Sequence, residues 1–151
     1  IWGNDKIQNY ETICGGTGAG PDFHGTSAVQ THMTNTRSTD PEVLELRFPV
    51  RLEEFSIRKN SGGIGKFNGG DGATRKLRFL DKMTVTTLCS HRKIRPFGVG
   101  GGEAGECGKE WLEKKDGTVV ELQGNDSCEV EKGDLFIMLT PSGGGFGNRE
   151  N

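Results

Sequence analysis

The sequence is poor in apolar residues and has no long apolar run. Of its 151 residues, 31% are hydrophobic and 7% are aromatic, and tyrosine occurs once. This share is below that of an ordinary globular domain, so we expect a thin hydrophobic core. A membrane-spanning helix needs about 20 consecutive apolar residues, and no segment approaches that length. The sequence therefore argues against a transmembrane helix and against a membrane partner.

An excess of charge of either sign is also missing. The chain has 19 Lys and Arg against 21 Asp and Glu, which gives a formal net charge of −2 and a pI near 6.0. A balance of this kind creates no field that attracts nucleic acid or an anionic membrane surface. We therefore expect no nucleic-acid partner.

Closely spaced cysteine pairs, which are typical of zinc sites and redox centres, are absent. We expect no signal peptide, and none of the four cysteines belongs to a CxxC motif: Cys14, Cys89, Cys107 and Cys128. Disulfides are common in secreted domains and rare in the cytosol. These observations predict reduced thiols in a cytoplasmic protein.

Histidine is scarce, which limits metal binding. The chain has three histidines. Asp22, His24 and His32 offer two imidazoles and a carboxylate, which are ligands for zinc or manganese, but no further ligand stands at a matching spacing. We expect solvated or hydrogen-bonding roles for these histidines and no metal within the segment. Spacing alone also does not make Cys89 and His91 a nucleophile and its base, since neighbours on one strand face need not be hydrogen-bonded.

Glycine, in contrast, is abundant. Its 25 residues are concentrated in four clusters, at residues 15–20, 62–72, 98–108 and 143–147. They show no collagen-like triplet period, and glycine lets the backbone adopt positive φ and approach other groups closely. We expect most clusters to be tight corners between sheets or docking surfaces for the rest of a larger chain. The last cluster is expected to pack into a neighbouring domain.

Two glycine motifs resemble nucleotide-binding loops but lack the required context. Residues 100–105 satisfy GxGxxG, yet a basic segment precedes them and no amphipathic helix follows. Residues 61–67 resemble a phosphate loop, but Asn60 replaces the first glycine and Phe67 replaces the hydroxyl that would bind Mg²⁺. We therefore predict neither a dinucleotide site nor a Walker site.

Short alternating stretches predict strands in the second part of the chain. Apolar and polar residues alternate over 76–79 and 83–89, the period of a half-buried strand, with a turn at 81–82 between them. Further turns are predicted at 116–117 and at 132–134, each next to an apolar run. The pattern favours a mainly β fold, a glycine-rich antiparallel sandwich or barrel-like domain over residues 55–151.

Residues 1–54 are predicted to be irregular. A break at Asp40 and Pro41 precedes residues 43–48, which fit a strand or a short helix that ends before Pro49. Residues 26–34 could form one or two helical turns capped by Thr26 or Ser27.

The polar stretch at residues 31–37 is a candidate ligand site. Arg37 is suited to pairing with a carboxylate or phosphate, and Asn35 to hydrogen bonding with a lactam or carbonyl group. Glu42 and Glu45 follow closely. Local turns stabilised by Ser, Thr and Asn side chains explain the same composition equally well.

Several long motifs in a fixed order resemble the C-terminal part of the hydantoinase B/5-oxoprolinase family. They cover nearly the whole chain and include YETICGGTGAG at 10–20, HMTNTR at 32–37, TDPEVLE at 39–45, SGGIGKFNGGDG at 61–72, RPFGVGGGEAG at 95–105, Gly133-Asp134 and TPSGGGFG at 140–147. The form of residues 39–42 is closer to 5-oxoprolinases than to N-methylhydantoinases. With the start at Ile1, which is not an initiator methionine, and the polar end, the resemblance leads us to expect a C-terminal fragment of a larger subunit. Residues 1–54 would then end the preceding hydantoinase B core.

The resemblance implies an ATP-dependent cyclic-amide hydrolase that opens 5-oxo-L-proline to L-glutamate. It implies that ATP and Mg²⁺ bind outside this segment, in a hydantoinase A-like partner with an actin/Hsp70-like fold, and that a divalent metal could bind upstream. The full enzyme is expected to be an oligomer, and the isolated fragment is expected to be inactive. An N-methylhydantoinase, an acetone-carboxylase-like subunit and a non-catalytic assembly module stay open as alternatives.

The resemblance also suggests ligand-facing positions, without individual roles. These are Asp22, His24, His32, Asn35, Arg37, Glu42 and Glu45. Arg92, between two predicted strands, is expected to form an ion pair between domains.

Overall fold

The computed structural model describes residues 1–31, 34 and 36–149. In this part of the chain, nine strands and one helix follow in the order β1 (Trp2–Gly3), β2 (Gln8–Asn9), α1 (Pro41–Arg47), β3 (Val50–Arg58), β4 (Gly72–Phe79), β5 (Met83–Leu88), β6 (Lys109–Glu113), β7 (Val119–Leu122), β8 (Asn125–Val130) and β9 (Leu135–Leu139).

The strands form two open antiparallel sheets. One sheet has the order β2-β1-β5-β8 and the other has the order β3-β4-β9-β6-β7. Every strand pair within them is antiparallel. The prediction of a mainly β, antiparallel domain is confirmed, with two sheets rather than a closed barrel.

The hydrophobic core contains side chains from both sheets. Leu77 and Phe79 of β4 are buried with Met83 and Val85 of β5. Trp2 contacts Phe79 edge to face, with 6.1 Å between ring centres, the geometry that aromatic quadrupoles prefer. The period-2 alternation along β4 and β5 therefore has the cause expected from the sequence, which is burial of one face of each strand.

The predicted turns lie where strands end, but they do not all connect strands of the same sheet. Gly117 at φ +88° and Gly133 at φ +104° occupy left-handed conformations that glycine adopts without strain. The first of these turns closes the hairpin between β6 and β7. The connection at residues 80–82 makes no hairpin, because β4 and β5 belong to different sheets.

Residues 41–47 form helix α1, which settles the choice left open by the sequence. Asp40 caps the helix by accepting a hydrogen bond from the backbone N–H of Glu42 at 2.9 Å, and Pro41 occupies the first turn, where a missing N–H costs nothing. Leu44 is fully buried in the core. The helix ends at Phe48, before Pro49.

The prediction of helical turns within residues 26–34 is wrong for the part of that segment that the structure describes. Ser27 and Ala28 form a turn, and Val29 makes an isolated bridge to Gly15. The hydroxyl of Ser27 accepts from the backbone N–H of Asp71 at 2.9 Å rather than capping a helix. A distant partner thus overrides the weak local preference.

The glycine clusters pack against one another, backbone on backbone. We call the segments 14–20, 61–72, 96–105 and 141–147 the glycine bundle. Among their hydrogen bonds are those from the backbone N–H of Gly63 to the Gly143 carbonyl and from the N–H of Ala19 to the Gly144 carbonyl, both at 2.9 Å. A Cβ on Gly143 would lie 1.7 Å from the carbonyl oxygen of Thr17. Only glycine permits contacts this close, so the clusters are more than corners between sheets.

Residues 141–147 run through the middle of this bundle. Residues 142–145 are buried, and a Cβ on Gly144 would lie 1.9 Å from the carbonyl oxygen of Phe97. The described neighbours of this cluster are segments of the same chain, and its packing into a neighbouring domain stays a prediction, as does the division into domains.

The predicted boundary between residues 54 and 55 falls inside β3, which pairs with β4 from Val50 to Arg58. Trp2 also pairs with Val85 of β5, so the first residues share a sheet with the later ones. The division into two domains stays a prediction.

Candidate functional site

A cavity of about 500 Å³ opens at the edge of the glycine bundle. We call it the bundle cavity. It is lined by Thr12, Ile13, Gly15, Gly16, Gly18, Ala19, Val29, Gln30, Thr31, Thr34, His91, Pro96, Phe97, Val99, Pro141, Ser142 and Gly143–Gly145. Much of its wall is therefore glycine main chain, and Phe97, whose side chain is 78% exposed, contributes an aromatic surface.

Among the residues that the structure describes, no Lys, Arg, Asp or Glu belongs to this lining, and His91 is the ionisable side chain found there. His91 has a φ of +54°, and its Nδ1 lies 3.1 Å from the carbonyl oxygen of Ile94. A carbonyl oxygen only accepts, so Nδ1 donates this hydrogen bond and carries a proton, and in the tautomer with that single ring proton Nε2 is an acceptor. Gln30 donates through Nε2 to the Thr12 carbonyl at 2.7 Å, which leaves its Oε1 as a second acceptor.

A second cavity of about 430 Å³ lies beside Arg37. We call it the Arg37 cavity. Its lining comprises Cys14, Ala28–Gln30, Thr36, Arg37, Ser38 and Phe55–Ile57. Phe55 and Ile57 of β3 are each about half exposed and form an apolar wall, and Arg37 supplies a positive charge. Burial raises the pKa of the Cys14 thiol, so this cysteine is not activated as a nucleophile.

The described candidate residues from the sequence do not converge on one site. Arg37 lines the Arg37 cavity. His24 accepts from the backbone N–H of Asn68 at 2.9 Å, a hydrogen-bonding role of the kind expected for it, and Glu45 accepts from the N–H of Leu52 at 2.9 Å. Both side chains thus hold backbone in place.

The remaining candidates are exposed or fall outside the described residues. Asp22 and Glu42 are exposed, and neither of them lines the bundle cavity or the Arg37 cavity. His32 and Asn35 lie outside the described residues. The ligand-facing role of these positions stays a prediction.

A buried ion pair lies between β4 and the segment that precedes the bundle. Nη2 of Arg75 donates to both carboxylate oxygens of Glu11, at 3.0 and 2.9 Å, and the two side chains are 6% and 10% exposed. The guanidinium also lies 5.7 Å from the ring centre of Phe55. Nη1 is buried and has no hydrogen-bond partner within the described residues.

Sequence reasoning missed this pair, although one signal was present. The inward face of β4 carries Ala73, Leu77 and Phe79, and Arg75 occupies the same face by period-2 spacing. An arginine at a core-facing position implies a buried anionic partner, because burying an unpaired charge is costly.

Arg92 forms an ion pair within the chain, which corrects the prediction of a pair between domains. Its Nε donates to Glu110 at 2.8 Å, its Nη1 donates to the Ser90 carbonyl at 2.6 Å, and the Glu110 side chain is fully buried. Burial, with the nearby Glu110 carboxylate, raises the pKa of Cys89. The thiol of Cys89 is therefore protonated at neutral pH and is a poor nucleophile.

The loop that resembled a phosphate loop uses its backbone donors on a carboxylate of its own chain. Oδ1 of Asp71 accepts from the N–H groups of Ser61 at 2.9 Å and Gly62 at 2.8 Å. Such a nest of amide groups can bind an anion, and in this chain the anion is Asp71.

Two further properties concern the described residues as a group. They contain no cluster of three or more His, Cys, Asp or Glu side chains that could hold a metal ion. Helix α1, at seven residues, falls far short of a bilayer's width, and the structure has no membrane-spanning helix in the described part of the chain.

Two open antiparallel sheets joined to a bundle of packed glycine segments define a glycine-rich β-sandwich domain. The sequence profile of the hydantoinase B/oxoprolinase family matches residues 2–149. The chain belongs to the hydantoinase B/oxoprolinase family.

Individual proteins agree with this assignment. The chain is 47% identical to a 5-oxoprolinase of Dictyostelium discoideum over 150 residues, which is 99% of this chain. It is 48% identical to 5-oxoprolinase 1 of Arabidopsis thaliana over 147 residues, or 97% of this chain. The aligned part is 12% of each relative's length.

A solved structure shares the fold. The crystal structure of the ATP-dependent caprolactamase from Pseudomonas jessenii superimposes with a TM-score of 0.79 at 26% identity, and the match covers 90% of this chain and 25% of that one.

Proposed function

We propose that the chain is the C-terminal part of an ATP-dependent hydrolase that opens 5-oxo-L-proline to L-glutamate. The observation that carries this proposal is the 47% identity to a protein named 5-oxoprolinase across 99% of the chain. The shared fold with an ATP-dependent caprolactamase supports the reaction type, since caprolactam is also a cyclic amide.

The chemistry explains the need for ATP. A lactam carbonyl is a weak electrophile because the ring nitrogen donates electrons to it. Transfer of a phosphoryl group to the carbonyl oxygen would remove that stabilisation, and water could then attack the ring carbon. Cleavage of the C–N bond would then leave an acyl phosphate and the free amine, and a second water would release phosphate from the acyl phosphate to give the carboxylate of the open amino acid.

We propose that ATP, Mg²⁺ and any further divalent metal bind outside this segment. The chain corresponds to 12% of the length of the 5-oxoprolinase relatives, so most of such an enzyme lies elsewhere. The proposed partner is a hydantoinase A-like ATPase subunit or domain with an actin/Hsp70-like fold, within a cytoplasmic oligomer.

Among the candidate residues, Arg37 has the placement that best suits a substrate role. It is exposed, lines the Arg37 cavity, and can pair with the carboxylate that distinguishes 5-oxoproline from an unsubstituted lactam. Asp22, His24, His32, Asn35, Glu42 and Glu45 stay candidates for contacts made in the complete enzyme.

The assignment is tested by measuring ATP-dependent release of glutamate from 5-oxo-L-proline by the full-length protein, alone and with a kinase-like partner. Hydantoin and acetone with bicarbonate serve as competing substrates. Glutamate release that stops without ATP supports the proposal. Turnover of hydantoin or acetone alone would keep the family and refute the substrate.

Arg37→Ala separates a catalytic contribution from a purely structural one. If Arg37 binds the substrate carboxylate, its removal should raise the KM for 5-oxoproline about tenfold or more, because a charge-assisted hydrogen bond contributes roughly 1.5–3 kcal/mol. The thermal midpoint should be unchanged, since the side chain is exposed. Arg51→Ala, which removes an exposed arginine of β3, is the matched control.

Equal kinetics for the two arginine variants would remove Arg37 from the site. If activity falls only together with the thermal midpoint, the segment is better described as an assembly module.

A further inference from the structure

Gly18 is a position at which neither packing nor a positive φ requires glycine. At each of the other glycines, either an added Cβ would lie within 3.0 Å of another atom or the backbone has a positive φ. An added Cβ on Gly18 would meet only the carbonyl oxygen of Gly144, at 3.9 Å, which is an ordinary van der Waals contact. Alanine would fit there without strain.

Gly18 lines the bundle cavity. A side chain on Gly18 would project into this open cavity. Glycine at this position therefore leaves that part of the cavity free. At about 500 Å³ the cavity is within the range of small-molecule sites, roughly 300–1,000 Å³. A role in ligand binding accounts for a glycine that neither packing nor backbone conformation explains.

The chemistry of the wall selects an uncharged ligand. None of the described lining residues is a Lys, Arg, Asp or Glu, so a charged group would lose its hydration there without gaining an ionic partner among them. Phe97, Pro96 and Pro141 offer apolar surfaces that suit the carbons of a small ring. The acceptors His91 Nε2 and Gln30 Oε1 suit a ligand N–H.

His91 is held for such a role by its own backbone and ring. Its φ of +54° is a conformation that few residues other than glycine adopt, although histidine is among those enriched there. The hydrogen bond from Nδ1 to the Ile94 carbonyl fixes the tautomer, so Nε2 is the nitrogen available to a ligand.

We propose that the bundle cavity binds the uncharged amide ring of the cyclic-amide substrate, with Gly18 leaving room for the ring and His91 Nε2 accepting its N–H. This assignment rests on the proposed function. A substrate carboxylate stays outside the cavity.

The test uses 2-pyrrolidinone, a five-membered lactam without a carboxylate, and the full-length protein without ATP. Binding is followed by saturation-transfer NMR. Gly18→Val, which places three carbon atoms where the ring would pack, should weaken 2-pyrrolidinone binding at least tenfold and raise the KM for 5-oxoproline by a similar factor with little change in kcat. Ala104→Val adds apolar volume at a position that does not line the cavity and should behave like the wild type.

His91→Asn tests the acceptor separately. Asparagine also tolerates positive φ and keeps a donor near the position of Nδ1, but it lacks the counterpart of Nε2. We expect a several-fold weaker affinity for 2-pyrrolidinone. If Gly18→Val does not fold, Gly18→Ala and His91→Asn carry the test.

The outcomes distinguish the two proposals. If the Gly18→Val variant turns over 5-oxoproline normally, and neither its KM nor its affinity for 2-pyrrolidinone differs from the wild type, the cavity assignment alone is overturned. If Gly18→Val weakens 2-pyrrolidinone binding but the wild-type protein hydrolyses no cyclic amide, the substrate assignment alone is overturned. A structure of the full-length protein with its own polypeptide filling the bundle cavity also overturns the cavity proposal.

Discussion

At the scale of single residues, the space around each glycine determines what a substitution costs. Gly143 and Gly18 lie in adjoining segments of the glycine bundle, yet a Cβ would be 1.7 Å from the nearest backbone atom at Gly143 and 3.9 Å at Gly18. The two positions look alike in the sequence because both belong to glycine clusters. They differ because the neighbours that enclose Gly143 come from a distant part of the chain.

We expect Gly143→Ala to lower the free energy of unfolding by about 3 kcal/mol or more, since the clash is with backbone that cannot rotate away. Gly18→Ala should be neutral or stabilising by about 0.4–1 kcal/mol, because alanine restricts the unfolded chain. Urea denaturation of both variants measures the difference. Equal midpoints for the two variants would contradict the packing described for the bundle.

Sequence reasoning at this scale found some side-chain roles and missed others. It gave histidine a hydrogen-bonding role, and His24 binds the backbone of Asn68. It placed the partner of Arg92 in another domain, whereas Glu110 of the same chain holds it. The partner in an ion pair depends on which strands become neighbours in the fold, and the amino-acid sequence carries little information about that.

At the scale of elements, β4 combines an apolar face with one buried charge. Ala73, Leu77 and Phe79 make the apolar contacts, and Arg75 stands among them with Glu11 as its partner. The pair links a strand to a segment 64 residues earlier in the chain. One guanidinium nitrogen, Nη2, donates to both carboxylate oxygens of Glu11.

Removing one member of this pair should destabilise the chain strongly. Arg75→Met leaves the Glu11 carboxylate buried without a partner, and Glu11→Leu leaves the Arg75 guanidinium buried without one. Each change should lower the free energy of unfolding by about 3–5 kcal/mol. The double variant should recover most of that loss, because an apolar pair needs no desolvation of charge. A double-mutant cycle in urea measures the coupling, and additive losses would refute the interdependence of the pair.

The elements themselves could be predicted where their cause is local. Alternation predicted β4 and β5, and Asp-Gly and Lys-Gly-Asp sequences predicted turns at Gly117 and Gly133 that the structure confirms. Helix α1 could not be distinguished from a strand, since seven residues give too few periods. The separation of β4 and β5 into different sheets depends on pairing with strands far along the chain.

At the scale of the whole molecule, the thin core predicted from composition is supplemented by packing of main chain. The core cluster joins residues from both sheets, while the glycine bundle is held by contacts between backbone groups of distant segments. The family could be inferred from the order of long motifs. The bundle itself could not, because glycine has no side chain whose periodicity would indicate a buried face.

Three partly buried thiols make stability sensitive to alkaline pH. Burial raises the pKa of Cys14, Cys89 and Cys128 above the ordinary value of 9.0, so above that value the unfolded chain releases these protons more readily than the folded one. The thiols' contribution is complete below pH 9 and is lost as pH rises through their folded-state pKa values. Thermal midpoints between pH 8 and pH 10.5 should fall less steeply in the Cys14→Ala/Cys89→Ala/Cys128→Ala variant than in the wild type. An identical slope would exclude the thiols as the cause.

The central position of residues 141–147 in the bundle has a consequence for biosynthesis. A ribosome makes the chain from the amino end at roughly 5–20 residues per second, so the clusters at 14–20, 61–72 and 96–105 emerge before the segment that they enclose. Until that segment leaves the exit tunnel, the carbonyl and amide groups that will bind it face solvent or a chaperone. A messenger truncated shortly before the codon for Pro141 would therefore yield a product that lacks the centre of the bundle, with unpaired backbone that quality-control proteases could recognise.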